Sequence, residues 1–152
     1  MEFNECINYL LTTAQHAVFQ RMTERLSEYD ITPGQYAILN CLWSHKSVNP
    51  KEIAKILCLE TSTISGVMDR MQKKGMIDRL ISKEDRRCVQ VMLTEKGKEL
   101  EEPVLRVVEE VNKEVMAGFT PDEEALLKDC LRRIAGHEEV GILELEREMV
   151  CR

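Results

Sequence analysis

Residues Thr61–Lys74 read TSTISGVMDRMQKK and predict a helix with two distinct faces. Apolar residues recur at helical spacing along one side, namely Ile64, Val67, Met68 and Met71. The residues off this stripe begin with small groups and end in cations, namely Ser62, Thr63, Ser65, Gly66, Asp69, Arg70 and Lys73. Thr61 or Ser62 is expected to cap the start of the helix, and Gly75 is expected to end it.

The outward face of this segment suits a helix that lies in the major groove of DNA. Small side chains allow close approach to base edges, and basic side chains reach phosphates. An ordinary amphipathic helix with a solvated polar face has the same pattern. The segment alone therefore leaves both interpretations open. The neighbouring segments of the sequence are needed to distinguish a DNA-binding helix from an ordinary surface helix.

A second, shorter helix is predicted just before this one. Asn49 is a typical cap and Pro50 suits the first helical position, so the pattern predicts a helix over Pro50–Leu57. Three residues, Cys58-Leu59-Glu60, then form a tight turn. Helix, short turn and helix in this order predict a helix-turn-helix.

Two short strands are predicted directly after Gly75. The first covers residues 76–81, and the second covers residues 88–93, where Val89, Val91 and Leu93 alternate with other residues. The charged segment Ser82–Arg87 joins them. A hairpin beside a helix-turn-helix is typical of a β wing, although a plain surface hairpin has the same sequence pattern. Ser47–Asn49 is a further candidate strand.

Helices are predicted on both sides of this central region. A long apolar stripe without Pro or Gly indicates a helix over residues 3–29 that packs on more than its own domain. Cap and proline signals predict a helix over Pro33–Ser44 and another over Pro121–Ile134. A helix from Thr94 to about Ala117 is expected to kink at Pro103.

Charge is distributed unevenly along the 152 residues, whose formal net charge is −6. Residues 61–98 carry nine Lys and Arg against five Asp and Glu, whereas the segments before and after them are both net negative. An acidic total argues against indiscriminate coating of nucleic acid, and a basic centre favours a local contact surface. The six scattered cysteines form no C-x-x-C pair, which is typical of reduced thiols in the cytoplasm and argues against a zinc site.

The wing and the segment before it resemble the MarR (multiple antibiotic resistance regulator) family. Wings in that family carry Asp-x-Arg, a strand and then Leu-Thr-x-x-Gly, which correspond here to Asp85, Arg87, Leu93, Thr94 and Gly97. A second match comprises Ser62-x-x-Ser65, Asp69-Arg70-Met71 and Lys74-Gly75. Met71 departs from the leucine usual in the family, which is a volume-conserving change.

The resemblance implies a mainly α fold with a small β wing, in one domain spanning residues 1–152. Residues 32–98 would form a winged helix-turn-helix core, and residues 3–30 and 99–152 would form dimerisation helices. The expected partners are a second copy of the chain and pseudo-palindromic double-stranded DNA, and the expected role is repression of nearby genes. Arg86 and Arg87 would contact DNA from the wing, with Arg87 in the minor groove and Asp85 orienting it.

Two signals could control such a repressor. The first is a small aromatic or amphipathic effector between the dimer helices and the DNA-binding core, with a candidate lining of Tyr9, His16, Phe19, Tyr36 and Trp43. The second is oxidation of Cys6, since some family members sense peroxides through a cysteine near the start of the first helix. Cys6 is about two residues out of register with those sensors, which is over half a helical turn.

Other classes of function have less support in the sequence. There is no glycine-rich phosphate loop, nucleophile elbow or metal-spaced cluster, so an enzyme is not expected and no cofactor is predicted. A winged-helix module that binds only proteins is an alternative, but Asp85, Arg87 and the basic centre count against it. No membrane helix or signal peptide is expected.

Overall fold

The computed structural model describes residues 1–45, 48–85 and 87–136. The chain divides into two compact units after Asn112. Its main elements follow the order of the predictions: α1 (Ile7–Leu26), α2 (Pro33–Ser44), α3 (Pro50–Leu57), α4 (Thr61–Lys73), β1 (Ile77–Ile81), β2 (Val89–Leu93), α5 (Glu95–Glu99), α6 (Glu101–Met116) and α7 (Pro121–Ile134). The fold is therefore mainly α with a small β wing, as predicted.

Local capping explains why three helices begin where the sequence predicts. The side chains of Thr32, Asn49 and Thr120 each accept a hydrogen bond from the third residue of the helix that follows. Each helix also has a proline in its first turn, where no backbone donor is needed. The core of the first unit contains Leu26, Ile38, Ile53, Met68 and Val91, which are almost fully buried.

The long N-terminal helix is shorter than predicted. Residues Phe3–Glu5 form a separate 3₁₀ turn, because Cys6 takes an extended backbone conformation before α1 begins. Another 3₁₀ turn, Ser27–Tyr29, follows α1 and ends at Asp30, which adopts a left-handed conformation with φ of 55°. This turn directs the chain into Thr32 and α2.

The predicted helix after Thr94 is two helices. Thr94 caps α5 as expected, but the helix breaks at Leu100 before α6 begins. Pro103 has no N–H to offer to the carbonyl four residues earlier, that of Glu99, and its ring crowds that carbonyl. The helix is therefore interrupted at Leu100, although the backbone of Leu100 keeps helical dihedral angles (φ −74°, ψ −16°).

The start of α4 also differs from the prediction. Glu60 precedes the first helical residue and makes no side-chain capping bond, so neither Thr61 nor Ser62 is the cap. Cys58 ends α3 in a left-handed conformation with φ of 52°, which leaves only two residues before α4. The hydroxyl residues therefore fall inside the first turn of α4.

The two strands form an antiparallel hairpin in which Ile77 faces Leu93 and Ile81 faces Val89. Val48 adds a single bridge to Val91, which corresponds to the candidate strand at 47–49, although Ser47 lies outside the described residues. Gly97 approaches the hairpin so closely that a Cβ built on it would lie 2.2 Å from the carbonyl oxygen of Met76. The hairpin and α5 thus contact each other directly through backbone.

Candidate nucleic-acid interface

Helix α4 presents the two faces that its sequence predicts. Ile64, Met68 and Met71 are buried, whereas Val67 is only half-buried. The opposite face is exposed at Ser62, Thr63, Ser65, Arg70 and Lys73. A Cβ built on the half-buried Gly66 would meet nothing within 4 Å. The helix therefore has a surface of small groups that a second molecule could approach closely.

Cations lie at the end of this surface and differ in their partners. Among the described residues, Arg70 and Lys73 make no side-chain hydrogen bond or ion pair. The Lys74 ammonium instead donates to the backbone oxygen of Asp30 at 2.7 Å and to its carboxylate at 3.2 Å. Arg70 and Lys73 are thus available to an external anion, whereas Lys74 fastens the end of α4 to the turn before α2.

The wing loop is held by short-range hydrogen bonds. The Asp85 carboxylate accepts a hydrogen bond from the backbone N–H of Arg87 at 3.0 Å, and the backbone N–H of Cys88 donates to the Asp85 carbonyl at 2.9 Å. The Asp85 carboxylate thus contacts the backbone of Arg87 and not its guanidinium. Asp85 fixes the loop and leaves the Arg87 side chain exposed. Arg86 lies outside the described residues.

An additional residue, Arg79, joins the wing to α4. Its guanidinium donates to the Asp69 carboxylate and, through Nε, to the Gln72 side-chain oxygen at 2.7 Å. Arg79 was not among the site residues predicted from the sequence. The sequence offered little signal for this role, because Arg79 stands beside Asp78 in a segment whose other residues, Met76, Ile77, Leu80 and Ile81, are apolar.

The five residues of the predicted effector lining are only partly brought together. The rings of Tyr36 and Trp43 lie 6.4 Å apart, and the Trp43 indole N–H donates to the Gly97 carbonyl at 2.9 Å. Tyr9 lies against Phe3 instead, with ring centroids 4.3 Å apart, and His16 and Phe19 are exposed on α1. Burial raises the pKa of Tyr36, so its hydroxyl stays protonated and can donate.

A shallow cleft of about 500 Å³ lies elsewhere, between the start of α2 and the side of α4. None of the five predicted residues lines it; its walls are Thr32, Gln35, Val67, Arg70, Lys73 and Lys74. This cleft places Arg70 and Lys73 beside the N-terminus of α2. It is continuous with the cationic end of the α4 surface rather than with the Tyr36–Trp43 pair.

Cys6 is half-buried at the start of α1. Among the described residues, no disulfide joins any of the cysteines Cys6, Cys41, Cys58, Cys88 and Cys130. Burial raises the pKa of the Cys41 thiol, which disfavours its reactive thiolate form. Across the described ranges no group of His, Cys, Asp and Glu side chains could hold a metal ion. Nor does any helix there have the length and apolar character needed to cross a membrane.

Comparison with known proteins agrees with this geometry. The MarR family model matches residues 31–89. The multiple antibiotic resistance protein MarR of Escherichia coli is 31% identical over 137 residues, covering 87% of this chain and 94% of the relative. A mutant MarR from E. coli, solved in complex with operator DNA, superposes with a TM-score of 0.80 at 28% identity, covering 88% of this chain and 98% of that one.

A second solved structure is the PcaV regulator of Streptomyces coelicolor in complex with its natural ligand. It has a TM-score of 0.83 at 25% identity and covers 90% of this chain and 96% of that one. Identity of this level over nearly the full length of E. coli MarR, together with the matched fold, is sufficient to assign the family. The chain belongs to the MarR family of DNA-binding transcriptional regulators and is not an enzyme.

Proposed function

We propose that this chain is a homodimeric repressor that leaves a pseudo-palindromic operator when a small aromatic or amphipathic ligand binds. The observation that carries the proposal is the outward face of α4, where small groups and the open space at Gly66 lead to the exposed cations Arg70 and Lys73. A mutant of the E. coli relative was solved in complex with operator DNA, which supports a role in operator binding for this chain.

The expected contacts follow from the chemistry of each part of this surface. Ser62, Thr63, Ser65 and Gly66 lie where base edges would be read, and Arg70 and Lys73 lie where phosphates would pass. The wing carries Arg87 on a loop that Asp85 holds in shape. A guanidinium on a thin hairpin suits a narrow A·T-rich minor groove, whose negative potential is enhanced, and Arg86 would assist it.

Unburied apolar surface supports the homodimer. On α1, Ile7 is 60% exposed and Phe19 is 45% exposed. Helix α7 has no buried residue, and its Leu126 and Ile134 are 61% and 59% exposed. Two copies joined through these helices would present two α4 helices, which have to lie about 34 Å apart to enter successive major grooves.

The operator prediction concerns stoichiometry and symmetry. We expect the protein to sediment as a dimer at micromolar concentration and to bind DNA from its own upstream region as one dimer per site. A fragment with only one half-site should bind roughly as weakly as non-specific DNA, about 10³-fold more weakly or worse, because one α4 is left without base contacts. A folded monomer that binds a single half-site with full affinity would contradict the homodimeric arrangement.

We expect the ligand to bind near Tyr36 and Trp43, the two members of the predicted lining whose rings lie 6.4 Å apart. A ligand acts on DNA affinity only by binding the competent and incompetent states differently. The Trp43 indole is bonded to Gly97 in α5, so a molecule wedged beside it would displace α5 relative to α2. The PcaV regulator, solved in complex with its natural ligand, supports the binding of a ligand by a regulator of this fold.

Intrinsic fluorescence tests this placement, because Trp43 is the only tryptophan in the chain. We expect benzoate to change Trp43 emission and to release operator DNA with the same midpoint, since one binding event underlies both. Tyr36→Ala should raise both midpoints together, whereas Tyr29→Ala, a matched tyrosine in the turn before α2, should leave both unchanged. Sodium acetate at equal ionic strength controls for salt. DNA release without any emission change would place the ligand elsewhere.

A further inference from the structure

Helix α4 carries one acidic residue, Asp69, and it lies in the middle of the outward face. Ser65 precedes it by four residues and Lys73 follows by four, so the three lie along one line of the helix surface. The Asp69 side chain is about half exposed, at 54%. A carboxylate in this position faces the same side as the groups that the proposed function assigns to DNA.

An unpaired carboxylate there would oppose binding. DNA carries a dense line of negative phosphates, and a like charge within a Debye length of about 8 Å at physiological salt is repelled by them. The repulsion would act on every sequence, because phosphates carry no base information. The surface therefore requires something that cancels the charge of Asp69.

Arg79 is placed to supply that cancellation. It lies on β1 opposite Val91, and its side chain is 26% exposed, so most of it is held against the protein. Its guanidinium contacts the Asp69 carboxylate and the Gln72 oxygen at the same time, and these two acceptors are three residues apart on α4. A planar fork of donors holds two such acceptors in one geometry, which a lysine cannot reproduce.

We propose that Arg79 is a positioning residue for DNA binding: it neutralises the Asp69 carboxylate on the recognition helix without itself contacting DNA. This inference rests on the proposed DNA-binding role of α4. Arg79 is needed, on this proposal, only because Asp69 carries a negative charge. Replacing Asp69 with a neutral residue should therefore make Arg79 dispensable for DNA binding. That dependence separates it from an arginine that binds a phosphate directly.

A double-variant comparison tests the proposal on the full-length protein with operator DNA. Arg79→Gln leaves Asp69 uncompensated, and we expect affinity to fall by about tenfold to a hundredfold, with the salt slope reduced by about one per subunit. Adding Asp69→Asn to the same chain should restore affinity to within about threefold of wild type, together with the slope. Asp69→Asn alone should cause no loss, because it removes a negative charge.

Arg106→Gln is the matched control. Arg106 pairs with Glu102 at 2.8 Å on the exposed surface of α6, so its replacement removes the same charge and the same kind of ion pair. It should change neither affinity nor salt slope. Thermal unfolding of all variants should stay close to wild type, since partly exposed ion pairs contribute little to stability. If Arg79→Gln does not fold, Arg79→Lys keeps the charge beside Asp69 but loses the two-acceptor fork, so we expect the wild-type salt slope with an affinity loss of no more than about tenfold.

Three outcomes would overturn the inference. Equal losses in Arg79→Gln and in the double variant would mean that Arg79 contacts DNA itself, and a loss in Asp69→Asn alone would mean that Asp69 reads a base. A loss of stability that accounts for the whole loss of affinity would mean a purely structural pair. In each case wild-type protein still binds its operator; a wild-type protein that binds no operator would instead refute the proposed function, and this inference with it.

Discussion

Replacing Gly97 with alanine is expected to lower the free energy of unfolding by about 3 kcal/mol, at the upper end of the usual cost of overpacking a core. The added Cβ would lie 2.2 Å from the carbonyl oxygen of Met76 and 3.0 Å from a methyl carbon of Leu93. The nearer contact is to backbone, so rotation of a side chain cannot relieve it. The Met76 carbonyl is also held in place, because it accepts a hydrogen bond from the Thr94 N–H at 3.1 Å.

The strain would spread through the contacts that Gly97 itself makes. Its carbonyl accepts the Trp43 indole hydrogen bond, so a shift of α5 away from Met76 would disturb α2 as well. Urea denaturation followed by far-UV circular dichroism measures the change. A loss of about 3 kcal/mol is a large share of the roughly 5–15 kcal/mol that typically stabilises a domain.

Gly66→Ala provides the matched control. Its Cβ would meet nothing within 4 Å, and alanine is favoured over glycine inside a helix by up to about 1 kcal/mol. We therefore expect Gly66→Ala to be as stable as wild type or more stable. If the free energy of unfolding of Gly97→Ala were within about 0.5 kcal/mol of the wild-type value, the close approach of α5 to the hairpin would be wrong.

The role of Gly97 shows where sequence reasoning ends. The residue was identified as part of the Leu-Thr-x-x-Gly pattern, but nothing in the pattern says that its missing side chain makes room for Met76, 21 positions earlier in the chain. By contrast, the starts of α2, α3 and α7 were predicted because a cap and a proline act within four residues. Capping contacts between residues close in the chain could be predicted from the sequence, whereas backbone packing between distant residues could not.

The candidate site divides in the same way. The two faces of α4 follow from helical periodicity, so the exposed Ser62, Ser65 and Lys73 were placed from spacing alone. The partner of Asp69 could not be predicted from spacing, because Arg79 reaches it only after the chain has turned from α4 into β1. Asp85 was assigned to the wing correctly, but its contact with the backbone rather than the guanidinium of Arg87 depends on the loop conformation.

A bulky side chain at Gly66 is expected to have the largest effect on DNA binding. Gly66→Leu should weaken operator binding by about 10³-fold or more, down to the affinity for non-specific DNA, because it keeps α4 away from the base edges. The phosphate contacts of Arg70 and Lys73 do not depend on the base sequence, so we expect them to form even when α4 enters the groove less deeply. The salt dependence of the residual binding should therefore remain, while discrimination between operator and unrelated DNA disappears.

The stability of the Gly66→Leu variant separates this prediction from unfolding. Space beside Gly66 is open and leucine is a strong helix former, so thermal unfolding should occur at or above the wild-type temperature. Gly118→Leu makes the same substitution at a second glycine whose Cβ would meet nothing within 4 Å, in the turn after α6, and should leave operator affinity unchanged. Fluorescence anisotropy with operator and scrambled duplexes of equal length gives the specificity ratio directly. Gly66→Leu protein that is folded and still prefers its operator by the wild-type ratio would show that another face of the molecule reads the DNA.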